Sequence, residues 1–347
     1  MKIALQQSMV LKDQYSFVPR WIKYCQENDI EYKMVDAYKF DIIDQLKYCD
    51  AFMWHFSQMD YRDMLFARQL LYSVKKMGLK VFPDFDTAWH FDDKVGQKYL
   101  LEALNAPFVN SYAFYTKKEA LEWVKHTTFP KVFKLRGGAG SSNVYLVNTQ
   151  SDAIRLIKKA FGRGFAQGSA WRYAKEQLRN FRTKNGNYLN LLKAVAIWIL
   201  PAKYIPSKQF SKMGGKEKGY VYFQDFIPNN LFDIRIVVTG DKAFGIKRMT
   251  RKNDFRASGS GNIFYTKSEI DERCVKIAFD VNDKIKSQSI GYDFVFDVNN
   301  DPLIIEISYG YNPSAYDACE GYWDKDMNWY EGKFNPYEWM IEDLISK

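Results

Sequence analysis

The amino-acid sequence predicts an α/β fold that begins with a parallel β-sheet. Of its 347 residues, 47% are apolar, which is ample for buried cores in two or three domains. Short apolar strands alternate with helical stretches over residues 1 to 85, as in βαβ units. Later apolar runs are separated by turn residues, as in β-hairpins. These three observations favour a mixed fold with both parallel and antiparallel sheets.

The first 85 residues supply the parallel sheet. Strands are predicted at 3–5, 33–35, 51–56 and 80–82, and helices at 17–28 and 61–77. Parallel sheets bind ligands at the carboxyl ends of their strands. His55 and Ser57 lie at such an end, so they are candidate substrate contacts. The alternative is that Trp54 and Phe56 belong to the core and His55 only ends the strand.

The next stretch leads into a loop of glycine and serine residues. A helix is predicted at 86–104, and Thr116 with Glu119 forms a capping box for a helix that ends near His126. A strand then ends in Lys134 and enters the loop at 137–142. Backbone N–H groups of such a loop, with a fixed lysine, can cover a triphosphate, although an ordinary hairpin loop is the alternative. No GK[ST] closes the loop, so it is not a P-loop.

Residues 151 to 219 form a strongly basic segment. They contain fifteen Lys or Arg and three acidic residues, so 15 − 3 gives a net charge of +12, against +9 for the whole chain. Interleaved aromatic rings and an apolar run at 191–200 suit the segment, about 162–218, to an anionic membrane surface. A solvated helical hairpin packed on its own domain is the alternative. Nucleic acid ranks last as a partner because no RNA- or DNA-binding motif is present.

Charged residues then follow an apolar strand predicted at 221–227. The tripeptides DIR at 233–235 and DFR at 254–256 flank Lys247-Arg248, and a solvated strand face is the alternative explanation for this charge run. A second capping box is predicted at 266–269. The helix after it has a buried stripe at helical spacing, formed by Ile270, Cys274, Ile277, Val281 and Ile285.

The hairpin at 291–308 is the candidate metal site. Side chains alternate along a strand, so Asp293, Val295 and Asp297 share one face, and Ile304, Glu306 and Ser308 share one on the returning strand. If these faces meet, Asp293, Glu306 and Ser308 form a cluster of hard oxygen ligands. Such ligands suit Mg²⁺, for which Mn²⁺ can substitute. Acidic residues that only face solvent are the alternative, but Glu306 lies inside an apolar run, where an unpaired charge is costly.

Composition also bears on location. The four cysteines are scattered without metal-ligand or disulfide-framework spacing, and the start of the chain reads as a strand and not a signal peptide. A cytoplasmic protein is expected, with contact of the basic segment at the inner face of the membrane. The longest apolar stretch is too short to cross a bilayer, so no span is predicted.

Several of these motifs resemble the ATP-grasp superfamily. The Asp293, Glu306 and Ser308 spacing is similar to its metal hairpin, in which Asn usually stands where this chain has Ser308. Asp93-Lys94 and the strand that ends in Lys134 resemble the two phosphate-binding lysines of the superfamily. The order DIR, KR and DFR resembles the ligase that adds glutamate to a ribosomal protein, and D-alanine–D-alanine ligase belongs to the same superfamily. The resemblance covers roughly residues 86 to 308.

The resemblance implies roles for particular residues. The strand predicted at 221–227 would be the interdomain hinge strand of the superfamily and would lie along adenine, with Asp225 or Asp233 on the ribose. The implied ATP-binding residues are Lys94, Lys134, Gly137, Gly138, Gly140, Ser141, Ser142, Gln224, Asp225, Phe226, Ile227 and Asp233. The implied metal ligands are Asp293, Glu306 and Ser308, and the implied catalytic residues, which meet the transferred phosphate, are Arg235, Arg248 and Arg256. Tyr309, directly after Ser308, joins His55 and Ser57 as a candidate substrate contact.

The implied fold and activity are those of an ATP-grasp ligase. A parallel-sheet domain would span 1–88, a central lid domain 89–222 with the basic insertion at about 162–218, and a metal-bearing domain 223–347. ATP and Mg²⁺ would serve ligation of a carboxylate to an amine through an acyl phosphate. The tail phrases GYWD and NWYEGKF look similar to ATP-grasp proteins of bacterial surface polysaccharide synthesis, which implies a glycan carboxylate or amine. A non-catalytic ATP-binding scaffold is the main alternative, and a nucleic-acid-binding protein is the third.

Overall fold

The computed structural model describes residues 1–8, 10–138, 143–166, 192, 215–250 and 261–346. The chain forms two compact units. Unit 1 comprises 1–109, 227–249 and 257–347, and unit 2 comprises 110–226 and 250–256. The three-domain division predicted from the sequence stays a prediction.

Unit 1 begins with a four-stranded parallel sheet in the order β2-β1-β3-β4. Its strands are β1 (Lys2–Gln6), β2 (Glu31–Val35), β3 (Ala51–Trp54) and β4 (Lys80–Phe82). Its helices are α1 (Val18–Glu27), α2 (Ile42–Leu46), α3 (Tyr61–Lys76), α4 (Phe85–Ala88) and α5 (Lys94–Ala103). Every residue of β3 is buried, as expected for a parallel strand covered on both faces.

An antiparallel sheet completes unit 1. Six neighbouring strands have the order β15-β14-β11-β12-β16-β17, and the short strand β13 pairs with β12. These strands are β11 (Phe232–Thr239), β12 (Lys242–Met249), β13 (Ile263–Phe264), β14 (Ser289–Phe296), β15 (Pro302–Ser308), β16 (Gly321–Asp324) and β17 (Trp329–Glu331). The helices of this part are α8 (Glu272–Ile285) and α9 (Pro336–Ser346). The buried stripe of α8 packs on β11, β14 and β15 in one apolar cluster.

Unit 2 is built on an antiparallel sheet in the order β5-β10-β6-β7. Its strands are β5 (Ser111–Phe114), β6 (Lys131–Lys134), β7 (Val144–Val147) and β10 (Val221–Asp225), with β8 (Phe165–Ala166) paired to β9 (Lys216–Glu217). Helices α6 (Lys117–His126) and α7 (Gln150–Ala160) pack on one face of the sheet. Phe133 and Phe223 lie on that face, and Trp123 of α6 packs on Phe223.

The predicted mixed α/β fold is confirmed, and two local predictions are wrong. The helix predicted at 86–104 is two helices, because the chain turns between α4 and α5 through Asp92, whose φ is 51°. Asp93 then caps α5 by accepting a hydrogen bond from the Gly96 N–H. The capping box predicted at Thr266 starts only a short 3₁₀ turn, and Asp271 caps α8 instead.

Candidate functional site

The metal hairpin predicted from the sequence is formed by β14 and β15. Asp293 lies directly opposite Glu306, and Gly291 lies opposite Ser308. The register shifts between Asp293 and Phe294, so that Phe294 faces Ile304. The two predicted carboxylates are therefore cross-strand neighbours on one face, with Ser308 two residues beyond Glu306.

The face predicted for Ile304 is wrong, because β15 has a bulge. Ile304 pairs with Phe294 and Ile307 pairs with Tyr292, and all four side chains are buried in one cluster. The two core-facing isoleucines are therefore three positions apart, where simple alternation places core-facing residues two positions apart. The extra residue lets both isoleucines face the core while Glu306 and Ser308 face the other way.

Two arginines hold Asp293 within a buried cluster of four charges. Arg235 donates hydrogen bonds to both carboxylate oxygens of Asp293, and Arg248 Nη2 lies 3.1 Å from Asp293 Oδ2. Arg248 also donates from Nε and Nη2 to the two oxygens of Asp233, each at 2.6 Å. The cluster thus joins two predicted catalytic arginines, one predicted metal ligand and one predicted ribose contact.

The electrostatics of the two carboxylates differ. Burial alone would raise the pKa of Asp293, but the nearby Arg235 and Arg248 hold this pKa below its ordinary value. Burial raises the pKa of Asp233 even though Arg248 opposes the shift. Asp293 therefore has a lower pKa than Asp233.

Glu306 forms an ion pair with Lys94, the residue predicted to bind phosphate. The Lys94 ammonium lies 3.1 Å from Glu306 Oε1, and the lysine side chain is only 4% exposed. Burial lowers the pKa of Lys94, but the Glu306, Asp92 and Asp93 carboxylates together outweigh this effect and raise the pKa. Gln97, one turn further along α5, donates to the His90 carbonyl and accepts from the Ile307 N–H, and so fixes the helix against β15.

The donor set of this face fits a hard divalent cation. Two carboxylates and one hydroxyl lie along one strand pair, and Mg²⁺ commonly takes one or two carboxylates and fills its shell with water and phosphate oxygens. No group of three or more His, Cys, Asp or Glu side chains is arranged around a metal position in the described parts of the chain. A cation held by the Asp293, Glu306 and Ser308 oxygens would complete its shell with water or phosphate oxygens.

In unit 2, the second predicted lysine is part of a buried hydrogen-bond network. Lys134 Nζ donates to Gln224 Oε1 at 2.6 Å, and Gln224 Nε2 donates to Ser111 Oγ at 3.1 Å. The glycine loop begins beside it, where Gly138 has a φ of 128° and Asn143 Nδ2 donates to the Gly137 carbonyl at 3.3 Å. Gly140, Ser141 and Ser142 lie outside the described residues.

Asp225 is placed on the other face of the same sheet. It neighbours Gln224 on β10, so its side chain points the opposite way. Lys131 Nζ lies 2.6 Å from its Oδ1, and Asn110 and Tyr112 approach Oδ2 at 3.4 and 3.5 Å. The structure therefore brings Gln224, but not Asp225, to the side chain of Lys134. The ribose contact of Asp225 stays a prediction.

The remaining hinge residues and one catalytic candidate have less structural context. Phe226 and Ile227 follow the end of β10 and are partly buried. The Ile227 carbonyl accepts a 3.4 Å hydrogen bond from Asn230. Their contact with adenine stays a prediction. Arg256 lies outside the described residues, as does most of the basic segment at 162–218.

The three candidate substrate contacts are buried in unit 1. His55 Nδ1 accepts from the Phe17 N–H at 3.1 Å, and the two rings stack. The Ser57 N–H donates to Asp63, and Tyr309 Oη donates to the Phe56 carbonyl at 2.7 Å. Each therefore contacts protein groups, and their role toward a substrate stays a prediction.

Sequence reasoning missed Ser111 and Lys131. Neither residue carries a signal of its own in the sequence, and their partners lie about a hundred residues away in the chain. Only the pairing of β10 with β5 and β6 brings them to Gln224 and Asp225.

A membrane-spanning helix is absent from the described residues, since no helix there is both long and apolar enough to cross a bilayer.

Comparisons of the sequence with known proteins find similarity to ATP-grasp proteins. Residues 204–315 match the RimK-like ATP-grasp domain, which contains the arginine cluster and the metal hairpin. The α-aminoadipate–LysW ligase LysX of Saccharolobus solfataricus is 24% identical over 236 residues, which are 68% of this chain and 67% of that protein.

Solved structures share the fold at low sequence identity. A RimK domain ATP-grasp protein of Sphaerobacter thermophilus aligns over 100% of both chains, with a TM-score of 0.58 and 13% identity. The D-alanine–D-alanine ligase of Bacillus anthracis, complexed with ATP, aligns over 89% of this chain and 86% of that one, with a TM-score of 0.53 and 12% identity. The resemblance predicted from the sequence is confirmed: the chain has the ATP-grasp fold, and residues 204–315 match its RimK-like domain.

Proposed function

We propose that the protein is an ATP-dependent ligase that joins a carboxylate to an amine. The observation that carries this proposal is the Asp293 and Glu306 face, flanked by Arg235, Arg248 and Lys94. Hard oxygen ligands and permanently charged guanidinium groups on one face suit phosphoryl transfer. The similar proteins named as ligases support the same class of reaction.

The proposed reaction has two steps. A carboxylate oxygen of the acid attacks the γ-phosphorus of ATP, so that an acyl phosphate forms and ADP leaves. The amine then attacks the acyl carbon, loses a proton, and phosphate leaves with the bonding electrons of the C–O bond. Only an amide, ADP and phosphate result, so no covalent bond to the protein is required.

The residues act by position and charge. Lys94 and Lys134 bind the phosphates of ATP, and Arg235 and Arg248 stabilise the charge on the transferred phosphoryl group, with Arg256 as a further candidate. Asp293, Glu306 and Ser308 would hold Mg²⁺, which would supply positive charge to the phosphate oxygens when bound. Asp233 keeps Arg248 in place through its paired hydrogen bonds.

Hydroxylamine trapping tests the proposal without knowledge of the amine. Purified protein is incubated with Mg²⁺, ATP, hydroxylamine and a panel of carboxylic acids, and hydroxamate and ADP are measured. We expect equal amounts of both with at least one acid, and neither with Glu306→Gln. The matched control is Glu102→Gln, which removes an exposed carboxylate of α5 and should leave both products unchanged. Binding of ATP without acid-dependent ADP release would favour a non-catalytic scaffold.

We further propose a glycan precursor as the source of the acid or the amine. Support comes from a cavity of about 560 Å³ in unit 1, where the partly exposed Trp329 ring lies among hydroxyl and carboxylate side chains. An aromatic ring beside such groups suits a sugar face. Most other aromatic residues of the tail, such as Tyr311 and Trp339, are buried in the core. Trp329→Ala should therefore raise KM for a glycan substrate but not for ATP. A KM for the glycan substrate equal to that of the unaltered protein would contradict this.

The basic segment at 162–218 is proposed to contact an anionic membrane surface. Its support is the charge and aromatic composition of the sequence. Co-sedimentation with liposomes tests it, using a variant in which residues 164–215 are replaced by a short linker. Binding that requires anionic lipid, falls with salt and is lost in the variant supports the contact. Equal binding to neutral liposomes, or none, contradicts it.

A further inference from the structure

The side chain of Lys134 is held by hydrogen bonds on the sheet face of unit 2 that α6 and α7 do not cover. Paired residues of antiparallel strands point to the same face, and β10 pairs Tyr222 with Lys134 and Gln224 with Ser111. These four residues therefore share one face. Neighbours such as Phe223 point into the helix-covered core.

The network has one hydrogen-bonding direction. An ammonium group only donates, so the atom that faces Lys134 must be the carbonyl oxygen of the Gln224 amide. The amide nitrogen then faces Ser111 Oγ, which accepts its hydrogen bond at 3.1 Å. The same Oγ accepts from Tyr222 Oη at 2.9 Å. If the amide turned over, two donors would face each other at Lys134.

We infer that Ser111 is a positioning residue that orients the Gln224 amide so that its carbonyl holds the Lys134 ammonium where it binds nucleotide phosphate. All four side chains are at most 7% exposed, so water does not readily replace a lost partner. The inference rests on the proposed binding of ATP. It adds a residue to that site which is remote from Lys134 in sequence and acts through Gln224.

Isothermal titration with ATP and with adenosine tests this role. Lys134 acts on phosphates, so Ser111→Ala should weaken ATP binding about tenfold, similar to the effect of removing a residue that orients a metal-binding side chain. Affinity for adenosine, which carries no phosphate, should be unchanged. A general distortion of the sheet would weaken the binding of ATP and adenosine equally and would overturn the inference. Ser111→Thr keeps the hydroxyl and should restore ATP affinity.

Two further variants separate the role of Ser111 from other effects. Tyr145→Phe removes a hydroxyl from β7, on the opposite face, and should leave ATP affinity unchanged. Gln224→Met should weaken ATP binding, and adding Ser111→Ala to it should cause no further loss, because Ser111 acts through Gln224. Additive losses would overturn the inference. If the unaltered protein does not bind ATP, the proposed function is wrong. That outcome is distinct from a failure of the inference, because it is seen without any substitution.

Discussion

Replacing Lys94 by Met should tighten the binding of a divalent cation in the absence of nucleotide. The Lys94 ammonium lies 3.1 Å from Glu306 Oε1, so a metal ion must displace it to use this carboxylate. Methionine has a similar length and no charge. The variant therefore leaves Glu306 free for the cation while it retains most of the packing of Lys94.

The expected magnitude follows from this ion pair. At 3.1 Å and an effective dielectric constant of about 20, two unit charges attract by roughly 5 kcal/mol. Glu306 is 32% exposed and Lys94 is buried, so solvent screening and the desolvation of Lys94 offset most of this attraction. About 1–2 kcal/mol should remain, which corresponds to a fall in the dissociation constant of roughly 5- to 30-fold.

Electron paramagnetic resonance measures this change directly, because the signal of free Mn²⁺ disappears when the ion binds. Lys94→Met should bind Mn²⁺ more tightly than the unaltered protein, and Glu306→Gln in the same chain should cancel the gain. Lys98→Met is the matched control, since Lys98 lies one turn further along α5 and pairs with Glu102. An unchanged Mn²⁺ affinity in Lys94→Met, or an equal gain in Lys98→Met, would refute the reasoning.

Three further predictions concern the metal face, the charge cluster and the response to acid. Ser308→Asn should preserve or tighten Mn²⁺-ATP binding because an amide oxygen is a better ligand than a hydroxyl, and a hundredfold loss, about 2.7 kcal/mol, would contradict this. Arg248→Met should lower the free energy of unfolding in urea by about 3–5 kcal/mol, because Asp233 is left buried without its partner. Arg155→Met, which removes one partner of the exposed Arg155–Asp152 pair, should cost at most about 1 kcal/mol, and equal losses would refute the argument. Burial lowers the pKa of His55 to about 3 and that of His90 to about 4, so their stabilising contribution is complete above about pH 6.5 and declines as the pH falls. Asp63, whose pKa burial raises to about 6, acts in the opposite direction between about pH 4 and 6. The urea concentration at the midpoint of unfolding should therefore depend less on pH between 6.5 and 5 in His55→Asn than in the unaltered protein. An equal dependence on pH in the two proteins would contradict this.

Much of the site could be predicted from short stretches of sequence. The turn residues between β14 and β15 and the apolar run around Glu306 are local, so the hairpin and the opposition of Asp293 to Glu306 were predictable. The strand that ends in Lys134 and the glycine loop after it are local in the same sense. Strand periodicity and turn chemistry act over a few residues, which is why one sequence sufficed.

The rest was decided by tertiary structure. The bulge in β15 exists because Ile304 and Ile307 both pack into a core formed with α8, and no local signal distinguishes it from simple alternation. The partners of Lys134 lie in strands at 111 and 224, and only the sheet pairing brings them together. The sequence by itself determined which residues carry the charges and oxygen atoms of the proposed site. Long-range strand pairing decided which of them meet, because contacts between distant residues depend on the packing of the whole unit and not on local conformation.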